Sequence, residues 1–204
     1  MKNVLVTGGC GFIGSNLVHR LVGEGCKVDV IDDMSNGHLE FLEPLAFRTV
    51  IADMLPQYED SYESERPDLL VINGDFAHEN VRKRIVSGNY DTVFHLAAEP
   101  RVEYSVNNPI QTTQINVLST VKLFTTCINN VNRIVFASSA AVYGNVEKLP
   151  TSEESSTCPT SPYGLQKLVG EKYAKLYSSL YGLDIVSLRF FNVYGPRQLG
   201  TSPY

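Results

Sequence analysis

Short apolar runs rich in β-branched residues alternate along this chain with longer segments whose apolar positions recur every three or four residues. The short runs are Asn3 to Val6, Lys27 to Ile31, Leu69 to Asn73, Thr92 to Leu96, Arg133 to Ala137 and Asp184 to Arg189. Their near-continuous hydrophobicity predicts buried strands. The longer segments predict helices. One carries Ile13, Leu17, Val18, Leu21 and Val22, and a second spans His78 to Ser87. A third runs from Pro109 to Asn129, with Ile115, Leu118, Val121, Leu123, Phe124 and Ile128 at helical spacing. A fourth starts at Ser161-Pro162, a serine N-cap with proline in the first turn, and runs to about Tyr181. After Asp33 the pattern loosens. Ser35-Asn36-Gly37 signals a turn, and His38 to Pro67 reads as a short helix and a solvated loop holding the acidic run Tyr58 to Glu65.

Strands alternating with helices, and apolar through their length, imply parallel strands covered on both faces. The join between the first strand and the first helix sharpens this. In Thr7-Gly8-Gly9-Cys10-Gly11-Phe12-Ile13-Gly14, the glycines Gly8, Gly11 and Gly14 recur between a strand and a helix. Such a turn lets the backbone approach a pyrophosphate, and the helix N-terminus turns free N–H groups toward it. The second strand ends in Asp32 and Asp33, and Asp32 falls 18 residues after Gly14, close to where a carboxylate accepts hydrogen bonds from an adenosine ribose. A carboxylate there repels a 2′-phosphate, so the expected cofactor is NAD rather than NADP. The fold class that follows is α/β, a doubly wound parallel sheet (Rossmann fold) with its ligand beyond the carboxyl ends of the strands. No internal repeat beyond the βα alternation, and no domain linker, interrupts the 204 residues.

Composition narrows the functional classes. A net charge of −5 argues against non-specific binding to nucleic acid or to anionic membranes. No apolar run is long enough to span a bilayer and the chain enters a strand at once, so the expected location is the cytoplasm. Cys10, Cys26, Cys127 and Cys158 form no CxxC pair and no cluster with histidine, which argues against a metal site and against a disulfide framework.

The strand ends select the candidate chemistry. Asp75, Leu96-Ala97-Ala98, Ser138-Ser139 and Phe191-Asn192 each follow a strand. The long helix adds Tyr163 and Lys167, four apart and so on one face. A phenol with a pKa of about 10 is a poor base at neutral pH. A lysine ammonium nearby favours the phenolate, as would a positive nicotinamide ring. Ser139 can hydrogen-bond the same substrate oxygen and hold it for proton transfer. A Tyr-x-x-x-Lys pair alone is common on surface helices. Joined to a dinucleotide turn and a serine at the end of the preceding strand, it points to proton transfer at an alcohol.

These stretches resemble the extended short-chain dehydrogenase/reductase family, specifically its NAD-dependent nucleotide-sugar epimerases and dehydratases. The match covers Thr7 to Ser15, Asp32-Asp33, Gly74-Asp75, His95 to Ala98, Asn116-Val117, Ser138 to Gly144, Tyr163 to Lys167 and Leu188 to Arg197, in the family's order. The resemblance implies that Gly8, Gly11, Phe12, Ile13 and Gly14 line the pyrophosphate of NAD. It places Asp32, with Asp33, at the adenosine ribose, and Asp75 with Phe76 beside the adenine. Leu96, Ala97 and Ala98 would pass beneath the cofactor, with Asn116 buried near it and Ser138 and Phe191 completing its surroundings. Ser139, Tyr163 and Lys167 match the catalytic set, and Ser139, Tyr163 and Asn192 match residues that contact the substrate.

Ala140 and Ala141 choose within the family. At these positions the 4,6-dehydratases resemble Asp-Glu, an acid and a base for eliminating water, whereas alanine neither donates nor accepts a proton. The pattern is similar to that of 4-epimerases. It implies transient oxidation at C4 of a UDP-hexose or UDP-N-acetylhexosamine, with tightly bound NAD regenerated in each cycle. Pro100 departs from the lysine that some 4-epimerases carry there. Family members continue for roughly another hundred residues, enough for a small substrate lobe. The expectation is therefore a cofactor domain over 1–204, with 38–67 as an irregular insertion and the C-terminal substrate lobe missing. Two alternatives stay open: an NAD-binding module without turnover, and another activity such as a dehydratase or reductase. In relatives, helices matching 109–129 and 161–181 pair with their copies, which implies a homodimer.

Overall fold

All six expected strands are present and a seventh joins them. They are β1 (Asn3–Thr7), β2 (Lys27–Asp32), β3 (Arg48–Ile51), β4 (Leu69–Asn73), β5 (Thr92–His95), β6 (Arg133–Ser139) and β7 (Asp184–Phe190). They form one sheet in the order β3-β4-β2-β1-β5-β6-β7, and every pairing is parallel. Among the described residues the helices bounded at both ends are α1 (Phe12–Gly23), α2 (Glu79–Ser87), α3 (Val102–Asn107), α4 (Pro109–Thr113), α5 (Thr120–Cys127) and α6 (Pro162–Tyr181). This computed structural model describes residues 2–56, 67–88, 90–146 and 149–200. The acidic run 58–65 lies outside them.

Alternate residues of the central strands feed two cores. Val4 and Val6 join Val28, Val30, Leu69, Val71 and Val18 on one face. Leu5 joins Ile31, Leu70, Ile72, Leu123, Phe124 and Phe136 on the other. Burial on both faces is why these strands read as unbroken apolar runs. Each fully buried Leu, Ile or Phe contributes roughly 1.5–3 kcal/mol, which holds the strand ends in fixed register. Strand order reverses between β1 and β5, and that switch point opens the crevice where ligands bind in such sheets.

Three local expectations need correction. β7, expected to be buried, lies at the sheet's edge and none of its residues is fully buried. The span 38–67 is not simply a short helix and loop. A 3₁₀ turn at Leu39–Leu42 leads into β3, which pairs with β4 from Arg48↔Leu70 to Ile51↔Asn73. β3 is an edge strand with three of its four residues exposed, so no hydrophobic period announced it. The short helix α3 likewise buries only Ser105. The expected helix over 109–129 is α4 and α5 joined by a π-helical stretch, Gln114–Ser119. By contrast α6 begins and ends as expected. The Ser161 Oγ accepts from the Gly164 N–H at 3.1 Å, and Gly182, at φ 67°, ends the helix in the left-handed conformation. Among the described residues no helix is long and apolar enough to cross a membrane.

Candidate active site

The glycine turn separates into parts that the fold demands and a part that it does not. Gly8 leaves β1 at φ 72°, and a Cβ there would lie 2.8 Å from the Ala97 nitrogen. A Cβ on Gly14 would sit 2.0 Å from the Gly8 carbonyl oxygen. Both glycines let α1 fold back against β1 and touch the segment after β5. Gly11 differs. It is the N-cap of α1 at φ −77° and ψ 176°, a conformation any residue adopts, and a Cβ would meet only the Gly8 oxygen at 3.3 Å. No side chain caps α1, and its first turn holds no acidic residue. Bare backbone before an uncapped helix N-terminus fits an anionic group.

Asp32 closes the turn from β2. One carboxylate oxygen accepts from the Cys10 N–H at 2.9 Å and the other from the Met34 N–H at 3.0 Å. Burial pushes its carboxyl above the usual range, against the pull of those two N–H groups. A carboxylate with two such bonds still has lone pairs for ribose hydroxyls. Asp33 is exposed and turned toward Ser35, accepting from its N–H at 2.9 Å and its hydroxyl at 2.6 Å. Burial, and then the Asp32 charge, push the Cys10 thiol up to about 12, so it is a packing residue.

Across the switch point, the Leu96 N–H donates to the Thr7 carbonyl oxygen at 3.1 Å, and the Ala97 N–H to the Thr7 Oγ1 at 3.2 Å. His95 beneath them lies between the Thr7 and Thr120 hydroxyls, at 2.7 and 3.0 Å, and packs on Phe76, Phe124 and Phe136. Burial, reinforced by the Lys167 charge, pushes its imidazole down to about 3, so it stays neutral and structural. Past Ala98 the chain is stapled by Asn116. Its Oδ1 accepts from the Glu99 N–H at 2.9 Å, and its Nδ2 donates to the Glu99 carbonyl at 3.0 Å and the Gln166 Oε1 at 2.8 Å. The Gln166 Nε2 donates onward to the Thr112 and Thr113 hydroxyls. Asn116 lies in the π-helical stretch, a winding that concentrates at functional sites.

Tyr163 and Lys167 lie one turn apart on the buried face of α6, only 4% and 3% exposed. The Tyr163 N–H donates to the Ser105 Oγ at 3.1 Å, and that hydroxyl donates to the Val102 carbonyl at 2.6 Å. The Lys167 Nζ donates to the Ala137 carbonyl at 2.8 Å and lies 5.8 Å from the centre of the Tyr163 ring. Among the described residues no carboxylate pairs with it, and burial pushes it down to about 8. It therefore remains largely cationic at neutral pH, where its charge stabilises a phenolate. Ser139 ends β6, and its Oγ accepts from the Ala141 N–H at 3.1 Å at the start of the 3₁₀ turn Ala140–Val142.

Other expected residues are placed differently. Ser138 and Ser139 project to opposite faces, as strand neighbours do. The Ser138 hydroxyl donates to Glu171 at 2.5 Å, which commits its proton to α6. The Phe76 ring is buried against His95, and Asp75 accepts from the Ala77 N–H at 2.8 Å in an exposed turn. Phe191 is 54% exposed and tilted against Tyr143, and Asn192 beside it is also exposed. The following segment returns over α1, where the Asn16 Nδ2 donates to the Pro196 carbonyl and its Oδ1 accepts from Arg197. Sequence reasoning missed Ser105, Gln166, Glu171 and Arg189. Glu171 carried a signal, because it falls one further turn along the face of Tyr163 and Lys167.

Residues 4–203 match the NAD dependent epimerase/dehydratase family. The putative UDP-glucose 4-epimerase of Methanocaldococcus jannaschii is 36% identical over 197 residues, 96% of this chain and 57% of its own length. Among solved structures, the UDP-N-acetylglucosamine 4-epimerase from Methanobrevibacter ruminantium, in complex with UDP-N-acetylmuramic acid, superposes with a TM-score of 0.84 at 39% identity. That alignment covers 100% of this chain and 59% of the other. The UDP-glucose 4-epimerase of Thermus thermophilus, in complex with NAD, gives 0.80 at 34% identity, covering 96% and 57%. The chain thus spans little more than half the length of these relatives. Sheet order, motif order and similarity along nearly every residue agree, and the chain belongs to the NAD-dependent epimerase/dehydratase family.

Proposed function

We propose that this chain is the cofactor domain of a UDP-hexose or UDP-N-acetylhexosamine 4-epimerase that holds NAD through its cycle. The observation that carries this reading is Lys167, buried one helical turn from Tyr163 with no carboxylate partner among the described residues. Its charge makes the phenol acidic enough for Tyr163 to accept the proton of a sugar 4-hydroxyl. Ser139 holds the same oxygen in place. Tyr163 returns that proton once the 4-keto sugar has turned over, and the opposite configuration at C4 results. A bound NAD would supply the hydride acceptor and donor chemistry at C4, with no net consumption of the cofactor.

The residues present suit that cofactor. Gly11 leaves the uncapped end of α1 open to a pyrophosphate, and Asp32 keeps acceptor capacity for a ribose. Ala140 and Ala141 offer no acid or base, which counts against elimination of water. The UDP-sugar epimerases among the relatives support the substrate class. Exposed Ile110, Leu118, Leu165, Leu176 and Leu180 on the helices within 109–129 and 161–181 support a homodimer through those helices. The test is to incubate the protein with NAD and UDP-galactose, UDP-glucose or their N-acetyl forms, and to look for the C4 epimer. Binding of NAD with no conversion of any of the four overturns the epimerase reading and leaves an NAD-binding module.

A further inference from the structure

The groups proposed for proton transfer sit on two elements, Ser139 on β6 and Tyr163 with Lys167 on α6. Packing alone lets a helix slide or roll on a sheet, so something must set their relation. Two features do so at one level. A Cβ on Gly170 would lie 2.6 Å from the Phe136 ring, so α6 has come as close to β6 as a helix can. One residue further on, Glu171 reaches two strands at once. It accepts from the Ser138 hydroxyl at 2.5 Å on β6, and from the Arg189 Nε and Nη2 at 2.9 and 2.8 Å on β7. Ser138 and Arg189 are register partners, so the carboxylate reads a single row of the sheet.

Arg189 extends the clamp. Its Nη1 donates to the Tyr143 hydroxyl at 2.9 Å and to the Glu153 carbonyl at 3.1 Å, and its guanidinium lies 4.8 Å from the Tyr143 ring centre. Tyr143 follows the 3₁₀ turn that starts at Ser139, and Glu153 belongs to the loop that leads into α6. Every element that carries or feeds Ser139, Tyr163 and Lys167 therefore meets at this one ion pair. Glu171 and Arg189 are 12% and 23% exposed at their side chains, so the pair is poorly screened by water and salt.

We infer that Glu171, held by Arg189 and Ser138, is a positioning residue that sets the roll and depth of α6 and so aligns Tyr163 and Lys167 with Ser139. This rests on the proposed proton-transfer role of Tyr163. Glu171→Gln conserves volume but sets an amide N–H against a donor, so the three bonds cannot all form. The expected result in the full chain is a kcat about 100-fold lower, because a displacement of about 1 Å costs that much. NAD affinity and the KM for the sugar nucleotide stay close to those of the unaltered protein. The Tyr163 tyrosinate absorbance, taken as the difference from the matching Tyr163→Phe protein with NAD present, titrates at higher pH than in the unaltered protein. Exchange of the pair, Glu171→Arg with Arg189→Glu, restores part of the loss. Glu171→Gln with unchanged kcat and an unmoved titration overturns the inference, and so does a parallel fall in melting temperature, NAD affinity and kcat with that titration unmoved. If the unaltered protein binds NAD but epimerises no sugar, the proposed function fails, while the tyrosinate titration still decides the role of Glu171.

Discussion

The two ends of the proposed cofactor site are built by different means. The pyrophosphate end is backbone. Gly8, Gly11 and Gly14 fall within one short stretch, and Asp32 holds it through the Cys10 main-chain N–H. The proton-transfer end is side chain. Tyr163, Lys167 and Ser139 come from two elements and are held by Ser105, Ala137, Glu171 and Arg189 across long separations. A backbone site is specified by where side chains are absent, and a side-chain site by a supporting network. The first should fail by steric block and the second by loss of alignment or charge.

That contrast can be broken or sharpened in order of expected effect. Tyr163→Phe keeps the buried ring and removes the hydroxyl. Turnover should fall about 10²–10⁴-fold while NAD still binds, which steady-state kinetics and a binding titration check together. Retained turnover would remove Tyr163 from the mechanism. Lys167→Met comes next, with a distinct pH signature. The folded lysine titrates near 8 and the unfolded one near 10.5. Between those values the unfolded chain holds a proton that the folded chain has lost, so the contribution of this lysine to stability rises with pH by on the order of 3 kcal/mol. Denaturation across that window should show the rise in the difference between the unaltered protein and Lys167→Met, where the opposing contributions of the buried Cys10 and Cys127 thiols cancel.

At the backbone end, Gly14→Val should lower stability by about 1–3 kcal/mol or more, because its Cβ meets a carbonyl rather than a yielding side chain. Denaturant unfolding measures it, and an unchanged midpoint would refute the packing argument. Gly11→Ala is the smallest and most diagnostic change. Its backbone needs no glycine, so stability should hold while NAD affinity falls about tenfold, or 1.4 kcal/mol. Equal losses in both would mean that Gly11 serves the fold alone.

Much of this was legible in the chain. The five buried strands, the partly buried β7, the Ser161 cap and the face shared by Tyr163 and Lys167 all follow from period and local chemistry. β3 was not, because an exposed edge strand buries no alternating face. The π-helical turn around Asn116 was hidden because its apolar spacing resembles that of an ordinary helix. Ser138 and Phe76 flank the site in sequence, but their side chains turn away from it, toward Glu171 and toward the buried His95 ring. No spacing rule announces such partners.

By itself the sequence determined the parallel α/β architecture, the glycine turn between β1 and α1 and which helix face carries Tyr163 and Lys167. Those depend on residue-by-residue periodicity and on local backbone freedom, which are written within a few positions. Only the tertiary structure decided which polar side chains serve the site and which serve the scaffold. Ser138 meets Glu171 across 33 residues and Asn116 meets Gln166 across 50. A polar group removed from water must find a partner wherever the packed chain brings one.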